Sequence, residues 1–265
     1  MSVNVKIQQA GDALASQFRT RQLYSLDERL MPVDLDEAYL IQQEFQRHVA
    51  EEQGAIAGYK LAYTTEALQQ TVGVSDPVLG VMLEDNIFHS PKTLTAADYV
   101  QLALECEVCV RLGADLPLSG APYDRGRVSE AVESLTTAFE VVDIRRTPGV
   151  DRKVGFITGV AANIVNAGVV MGEPVTNWRA LDLQAAYGSM TINGELVGDG
   201  HGSDVMGHPL EPLAWLANKL AGQGLGLSAG MVIITGSIVS PKPVKPGDTA
   251  SIMIEGLGGA EVTII

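Results

Sequence analysis

Hydrophobic and polar positions follow a helical period near the N-terminus of the chain. In residues 34–53, DLDEAYLIQQEFQRHVAEEQ, apolar side chains recur at steps of three and four residues: Ala38, Ile41, Phe45 and Val49. Asp34 followed three residues later by Glu37 is typical of a helix start, and Gly54 of a helix end. A weaker pattern from Val5 to Leu23 predicts a second helix, so residues 1–55 are predicted to form an N-terminal helical segment.

The pattern then changes to short β-branched or apolar runs separated by Gly, Pro and Asn. These runs are GYKLAYT, QLALECEVCVRLG, TTAFEVVDIR, AAYGSMTINGELVG, GMVIITGSIV, DTASIMIEG and AEVTII. They predict strands, and Asn193-Gly194 within them predicts a two-residue hairpin turn. HPLEPLAWLANKLAGQG predicts a helix between two of the strands. We therefore predict an α+β fold with a mostly β body over residues 56–265, in a single compact unit.

Two glutamates interrupt the apolar run LALECEVCVRLG. Because side chains alternate along a strand, Glu105 and Glu107 are expected on one face, about 7 Å apart. Cys106 and Cys109 differ in parity, so we expect neither a disulfide nor a shared metal. An exposed acidic strand face is one interpretation of the glutamates. The other is a functional cluster completed by Glu140, which lies in the similar run TTAFEVVDIRR.

Three carboxylates that meet repel one another unless a cation or shared protons compensate. Ligands that offer only oxygen suit a hard ion, Mg²⁺ or Mn²⁺, and three protein ligands leave positions open for water and substrate. Lys60, in the apolar run GYKLAYT, either extends to solvent or is held near such anions.

Composition narrows the classes of function. With 18 basic against 32 acidic residues, the net charge of -14 repels phosphates and anionic lipid, so neither nucleic-acid nor membrane binding is expected. The N-terminus lacks the features of a signal peptide, and two cysteines form no disulfide framework. We expect a soluble, cytoplasmic protein.

Several blocks of the sequence, taken together, resemble one enzyme family. They are GYKLAYTTEALQQTVGVSDPVLGVMLEDNIF, ECEVCVRLGADLP, FEVVDIR, NAGVVMG, GHPLEPLAWLANKLA and ITGSIVSPKPVKPGDT. In order and spacing they are similar to the hydratase/decarboxylase branch of the fumarylacetoacetate hydrolase superfamily, enzymes of aromatic meta-cleavage pathways. The resemblance implies a rolled mixed sheet and a divalent metal bound by Glu105, Glu107 and Glu140.

The resemblance also implies roles for other residues. Lys60 and Asp85, from GYKLAYT and LEDN, would be the acid/base groups that act on a small 2-oxo acid. Three further residues are candidates for substrate contacts: Arg145, Asn163 and Ser237. Arg145 and its neighbour Arg146 would either bind a distal carboxylate or form a solvated pair.

One stretch departs from the family pattern. Where the family reads roughly D-T-x-A-D-N, this chain reads ITGVAAN over residues 157–163, so that Thr158 and Ala162 replace two aspartates. The leading hypothesis is a metal-dependent hydratase of 2-hydroxy-2,4-dienoates. The alternatives are a decarboxylase, a tautomerase or another enzyme of enolate chemistry, and a non-catalytic partner of an active homologue. Family members assemble, so we expect a homo-oligomer or a complex with a homologous enzyme.

Overall fold

The computed structural model describes residues 2–265 as a mixed α+β fold. The α-helices in this range are α1 (Val3–Arg19), α2 (Leu35–Gln53), α3 (Glu66–Val72), α4 (Arg125–Glu130), α5 (Arg152–Ala161) and α6 (Glu211–Gly222). The strands are β1 (Ile56–Ala62), β2 (Val78–Leu83), β3 (Ile87–His89), β4 (Lys92–Leu94), β5 (Leu102–Leu112), β6 (Val132–Asp143), β7 (Asn166–Met171), β8 (Tyr187–Ile192), β9 (Glu195–His201), β10 (Val232–Pro243), β11 (Thr249–Ile254) and β12 (Gly258–Ile264). The predicted fold class is therefore confirmed.

The N-terminal helices form as their pattern predicts. Asp34 caps α2 by accepting a hydrogen bond from the Glu37 amide, and the apolar face of α2 packs against α1. Between the two helices, Glu37 also pairs with Lys6 at 2.7 Å. Among residues 2–265, no helix combines the length and the apolar character that crossing a bilayer requires.

Two mixed sheets make up the β body. The larger is a half-barrel with the strand order β2-β1-β10-β5-β6-β7-β3, in which β1 and β10 run parallel and β5 lies antiparallel to both β10 and β6. The smaller has the order β4-β12-β11-β8-β9 and packs against β6 and β10. The predicted hairpin turn joins β8 to β9, with positive φ at both Asn193 and Gly194.

Both faces of the central strands are buried. Cys106 packs into the main hydrophobic core on one face of β5, whereas Cys109 packs into a smaller apolar cluster on the other face. Both thiols are free, as their opposite parity predicts. Glu105 and Glu107 share the face of Cys109, where Glu107 is fully buried and Glu105 is half-buried.

Candidate metal centre

Strand pairing brings the three glutamates together. Glu105 and Glu140 lie directly opposite each other on β5 and β6, and Glu107 is two residues farther along β5. One carboxylate oxygen from each of the three lies within 4.8 Å of the others. Glu107 and Glu140 expose no more than 1% of their surface. The exposed acidic face that the sequence left open is therefore excluded: Glu107 and Glu140 are buried, and Glu105 is half-buried at the edge of the same cluster.

Neighbouring donors hold two of the three carboxylates in place. Glu107 accepts a hydrogen bond from the Gly236 amide at 2.7 Å and a long one from the Ser237 hydroxyl at 3.4 Å. On β6, Glu140 accepts one from the Asn166 side-chain amide at 2.9 Å. These bonds orient the carboxylates before any ligand binds, as the outer contacts of metal ligands do.

Lys60 is the ammonium group at this cluster. It comes from β1, exposes only 3% of its surface, and its Nζ lies 3.2 Å from Oε1 of Glu140. The structure therefore decides between the two interpretations of this lysine: it is held near anions and does not extend to solvent. One ammonium cannot neutralise three ionised carboxylates, so the remaining negative charge has to be compensated by protons or by a cation.

The crowding of carboxylates in a buried site makes Glu105 and Glu107 weaker acids than usual. Burial, with the neighbouring Glu140 carboxylate next in effect, raises the pKa of Glu105 to about 8. The same two causes, in the same order, raise the pKa of Glu107 well above its usual value. Oxygen ligands of this number and charge fit a hard divalent cation, which would favour their ionised forms. The residues present thus fit the ion that the family resemblance implies.

The raised pKa values predict how stability responds to pH when metal is absent. A carboxyl group whose pKa is higher in the folded than in the unfolded chain stabilises the fold at low pH and loses that contribution as the pH rises through its folded pKa. With chelator, the cluster's contribution should therefore decline between about pH 5 and about pH 8. Because protons and metal compete for the carboxylates, the stabilisation that Mg²⁺ adds should grow over the same range.

Urea unfolding at several pH values, with chelator and with Mg²⁺, measures this difference. Subtracting the two curves removes groups away from the cluster, such as His208, whose pKa burial lowers. Stabilisation by Mg²⁺ that is independent of pH, or that shrinks as the pH rises, would contradict the charge state assigned to the cluster.

A large cavity of about 970 Å³ adjoins the cluster. Its lining includes Lys60, Glu105, Thr64 and Ser237, which bring one ammonium, one carboxylate and two hydroxyl groups to the same space. Most of the remaining lining surface is apolar, although charged residues, among them Asp199, Asp204 and Lys242, also contribute to it. The volume is at the upper end of the roughly 300–1,000 Å³ typical of small-molecule sites. The geometry therefore places a candidate metal centre in the wall of a chamber able to hold an organic substrate.

Asp85 is not among the residues that line this cavity. It lies in a short 3-10 turn, Glu84–Asn86, that follows β2, and it is exposed to solvent. The chain leaves the sheet at this turn and carries the carboxylate outward. Of the two acid/base residues that the family resemblance implies, the structure brings only Lys60 to the cluster.

Arg145 lines the cavity, but its guanidinium group is bound to the protein itself. Its Nε donates to Asp143 at 2.6 Å, and its Nη1 donates to the carbonyl oxygens of Gln17 and Phe18 at 3.1 Å each. This buried arginine ties the end of α1 to the end of β6. The following residue, Arg146, lines the same cavity and is exposed. The two arginines therefore do not form a solvated pair, because only Arg146 faces solvent.

Asn163 makes two hydrogen bonds to the backbone of β2 and does not line the cavity. Its Oδ1 accepts from the Val81 amide at 2.7 Å, and its Nδ2 donates to the Val81 carbonyl at 2.9 Å. The residue has a φ of 59°, a left-handed conformation that asparagine tolerates better than most residues. These contacts give Asn163 a structural role in place of the expected contact with substrate.

Replacing Asn163 by alanine should destabilise the protein without changing its specificity. The variant leaves two buried backbone groups of Val81 unpaired and puts an alanine at positive φ, so we expect the free energy of unfolding to fall by about 2–4 kcal/mol. Denaturant unfolding checks this, with Asn177→Ala as a control because Asn177 is exposed and caps no backbone group with its side chain. If Asn163→Ala left stability unchanged but raised KM, Asn163 would instead be a substrate-binding residue.

The two positions that depart from the family pattern have different surroundings. Thr158 lines the cavity, and its hydroxyl lies 3.5 Å from the Met31 sulfur. Ala162 is buried at the C-terminal end of α5 and does not line the cavity. Two residues of the site were not singled out from the sequence: Asn166, which begins β7 and binds Glu140, and Gly236, whose amide binds Glu107. The only sign of them in the sequence was that they lie in NAGVVMG and ITGSIV, two blocks that carry the family resemblance.

Comparison with known proteins agrees with this geometry. The family model described as fumarylacetoacetate (FAA) hydrolase C-terminal matches residues 42–265. The chain is 32% identical over 265 residues to 2-hydroxyhexa-2,4-dienoate hydratase of Comamonas testosteroni, covering 99% of this chain and 98% of that protein. It is 30% identical over 229 residues to 2-oxo-hept-4-ene-1,7-dioate hydratase of Escherichia coli, covering 85% of each.

A solved structure extends the similarity to the whole fold. 4-Oxalocrotonate decarboxylase from Pseudomonas putida G7, complexed with magnesium and adipate, superposes with a TM-score of 0.90 at 26% identity, covering 100% of this chain and 99% of that one. The family model, the full-length relatives and the shared fold lead to one conclusion: the chain belongs to the fumarylacetoacetate hydrolase family.

Proposed function

We propose that the protein is a metal-dependent hydratase that adds water to a 2-hydroxy-2,4-dienoate or its 2-oxo-4-enoate tautomer, giving a 4-hydroxy-2-oxo acid. The observation that carries the proposal is the buried cluster of three carboxylates beside Lys60, in the wall of a cavity. Two relatives named as hydratases of such compounds, one of them matched over nearly its full length, support the choice of substrate class.

Glu105, Glu107 and Glu140 would hold the ion, and we propose Mg²⁺ or Mn²⁺ because the ligands are all oxygen. The magnesium in the related decarboxylase structure supports the first of these. When bound, a divalent cation polarises the keto group of a 2-oxo acid and so favours loss of a proton from the adjacent carbon.

Side chains of the cavity would bind the substrate, stabilise its charge and orient the water. Lys60 has its ammonium group at the cavity wall, where it would bind the substrate carboxylate or donate to the oxygen that gains negative charge. Thr64 and Ser237 bring hydroxyl groups to the same cavity and are suited to orient the attacking water. Lys60 is itself buried, and a buried setting strengthens its polar contacts.

Decarboxylation of a related 2-oxo acid is the second candidate function. It is favoured by one observation, the TM-score of 0.90 over the full chain to 4-oxalocrotonate decarboxylase. Both reactions need the same stabilised enolate, so the glutamates serve either. The difference lies in whether water adds to the alkene or carbon dioxide leaves.

Identifying the product separates these functions. The protein is incubated with 2-hydroxypenta-2,4-dienoate or with 4-oxalocrotonate, with Mg²⁺ or with chelator, and the products are identified by NMR. We expect a Mg²⁺-dependent 4-hydroxy-2-oxo acid from the dienoate and no release of carbon dioxide from 4-oxalocrotonate. Full turnover in chelator would remove the metal-dependent mechanism, and carbon dioxide release would establish the decarboxylase.

A further inference from the structure

We propose that the cavity accepts 2-oxo acids with a long or bulky apolar tail, and that Gly155 and Gly159 on α5 provide the room for it. The proposal rests on the proposed function for the 2-oxo acid head, which would lie at Lys60 and Glu105. It adds the chemistry of the tail, which those two residues leave undefined.

The cavity is larger than the head of a 2-oxo acid needs. Its volume of about 970 Å³ matches sites that hold drug-sized ligands, which fill roughly 300–1,000 Å³. A five-carbon 2-oxo acid is far smaller than such a ligand. Once its head lies at the metal centre, most of the chamber remains to be filled.

The lining of the cavity is also largely apolar. Apolar side chains from three parts of the chain line the cavity: Leu26 and Met31 between α1 and α2, Leu68 and Val72 on α3, and Phe156 on α5. The free energy falls when an apolar group replaces the water between such walls.

Charged residues also line the cavity. Arg146 and Arg152 are exposed, where a carboxylate remains hydrated and an ion pair adds little, and Asp199 and Asp204 would repel a carboxylate. The guanidinium of Arg145 is already bound to Asp143, so the half-buried Lys242 is the cation against which a charged tail has to be tested.

Two glycines lie inside helix α5, on the side that faces the cavity. Gly155 and Gly159 are one turn apart on α5, and both line the cavity. Neither has a positive φ, so the backbone does not require glycine. A Cβ atom at Gly159 would have no neighbour within 4 Å, and one at Gly155 would only touch the Arg146 side chain at 3.8 Å.

Packing within the chain therefore does not explain these glycines. Gly11 in α1 shows the contrast, because a Cβ atom there would lie 2.5 Å from Cγ of Glu44 on α2. Glycine weakens a helix interior relative to alanine, so two glycines without a packing need are a loss of stability. They keep open the part of the cavity that α5 faces, and the occupant that benefits is a ligand.

Calorimetry with saturated 2-oxo acids, which cannot be hydrated, tests the tail separately from the reaction. We would titrate pyruvate, 2-oxohexanoate, 2-oxooctanoate and 4-phenyl-2-oxobutanoate into the Mg²⁺-loaded protein. Burial of each added CH₂ should tighten binding by about fourfold until the chamber is full, so 2-oxooctanoate should bind at least about tenfold more tightly than pyruvate.

Variants at Gly159 then connect the effect to α5. Gly159→Leu should remove most of the gain in affinity for 2-oxooctanoate while leaving pyruvate binding unchanged. Gly159→Ala should remove part of that gain, and it should fold at least as well as the natural protein because alanine has the higher helix propensity. Gly222→Leu is the matched control, since Gly222 also lies in a helix with nothing within 4 Å but is outside the cavity.

Each result counts for or against a separate claim. Pyruvate binding that fails with Mg²⁺ would overturn the proposed function and the proposal with it. If pyruvate binds but longer tails add nothing, or if Gly159→Leu acts no differently from Gly222→Leu, only the apolar tail is overturned. The same follows if 2-oxo dicarboxylates bind tightest, whether that advantage is lost in Arg146→Gln or in Lys242→Gln.

Discussion

Replacing Glu107 by glutamine is expected to lower Mg²⁺-dependent consumption of a 2-hydroxydienoate by at least about a hundredfold, because the cluster loses a charged ligand. Calorimetry should show a comparable loss of Mg²⁺ affinity. The fold should survive, since glutamine has the same shape and its side-chain oxygen can still accept the hydrogen bond from Gly236. With chelator present, the stability of the variant relative to the natural protein should increase as the pH rises, because glutamine cannot ionise whereas Glu107, whose pKa burial and Glu140 raise, loses its proton in a buried site.

Glu133→Gln is the matched control for this prediction. Glu133 lies on β6, the strand of Glu140, but is exposed. Its replacement should change neither turnover nor Mg²⁺ affinity. Glu107→Gln with full metal affinity would contradict the ligand assignment. A natural protein that binds no metal would instead favour a non-catalytic partner of an active homologue.

Replacing Lys60 by methionine is the second change with a large expected effect. The variant keeps the bulk of the side chain but removes the ammonium group, so kcat should fall by at least about a hundredfold. Mg²⁺ should bind more tightly than before, because the ion no longer competes with a cation 3.2 Å from Glu140. Steady-state kinetics and calorimetry on one preparation separate these two effects.

Stability gives the second measure of Lys60. With chelator, Lys60→Met should be destabilised because a buried carboxylate loses its partner, and Mg²⁺ should restore the loss. Lys153→Met, at an exposed position on α5, serves as control. If Lys60→Met turned over substrate at the natural rate once loaded with metal, Lys60 would be a counter-ion only, and another group would carry out its chemistry.

The strand pattern predicted the glutamate pair more directly than it predicted the cluster. Alternation alone places Glu105 and Glu107 on one face of β5. That Glu140 stands opposite Glu105 depends on which strands pair and in what register, and both are set by contacts distant in sequence. The sequence therefore suggested a third carboxylate, whereas only the fold shows that it is in reach.

Other elements escaped the sequence patterns for identifiable reasons. β2, with the sequence VLGVML, is buried at every position, so it shows no alternation of apolar and polar residues. α5 contains two glycines that lower its helix propensity, and contacts with α2 outweigh that preference. Because these elements line or support the cavity, its size and apolar character could not be predicted.

Two of the roles transferred from motifs belong to residues that do not line the cavity. Asp85 belongs to the block LEDN, but the turn after β2 places it on the surface. Asn163 is the residue kept from the family stretch, yet its amide binds Val81. A motif identifies a position along the chain. Whether the side chain faces the substrate depends on backbone conformation, such as the left-handed φ of 59° at Asn163.

The central claim is that Glu105, Glu107 and Glu140 together bind a divalent cation that catalysis requires. Anomalous diffraction from crystals grown with Mn²⁺ and oxalate tests it most directly. We expect one strong manganese peak within about 2.3 Å of an oxygen of each glutamate, with oxalate completing the coordination on the cavity side. A peak elsewhere, or an ordered cluster without manganese at saturating concentration, would contradict the account.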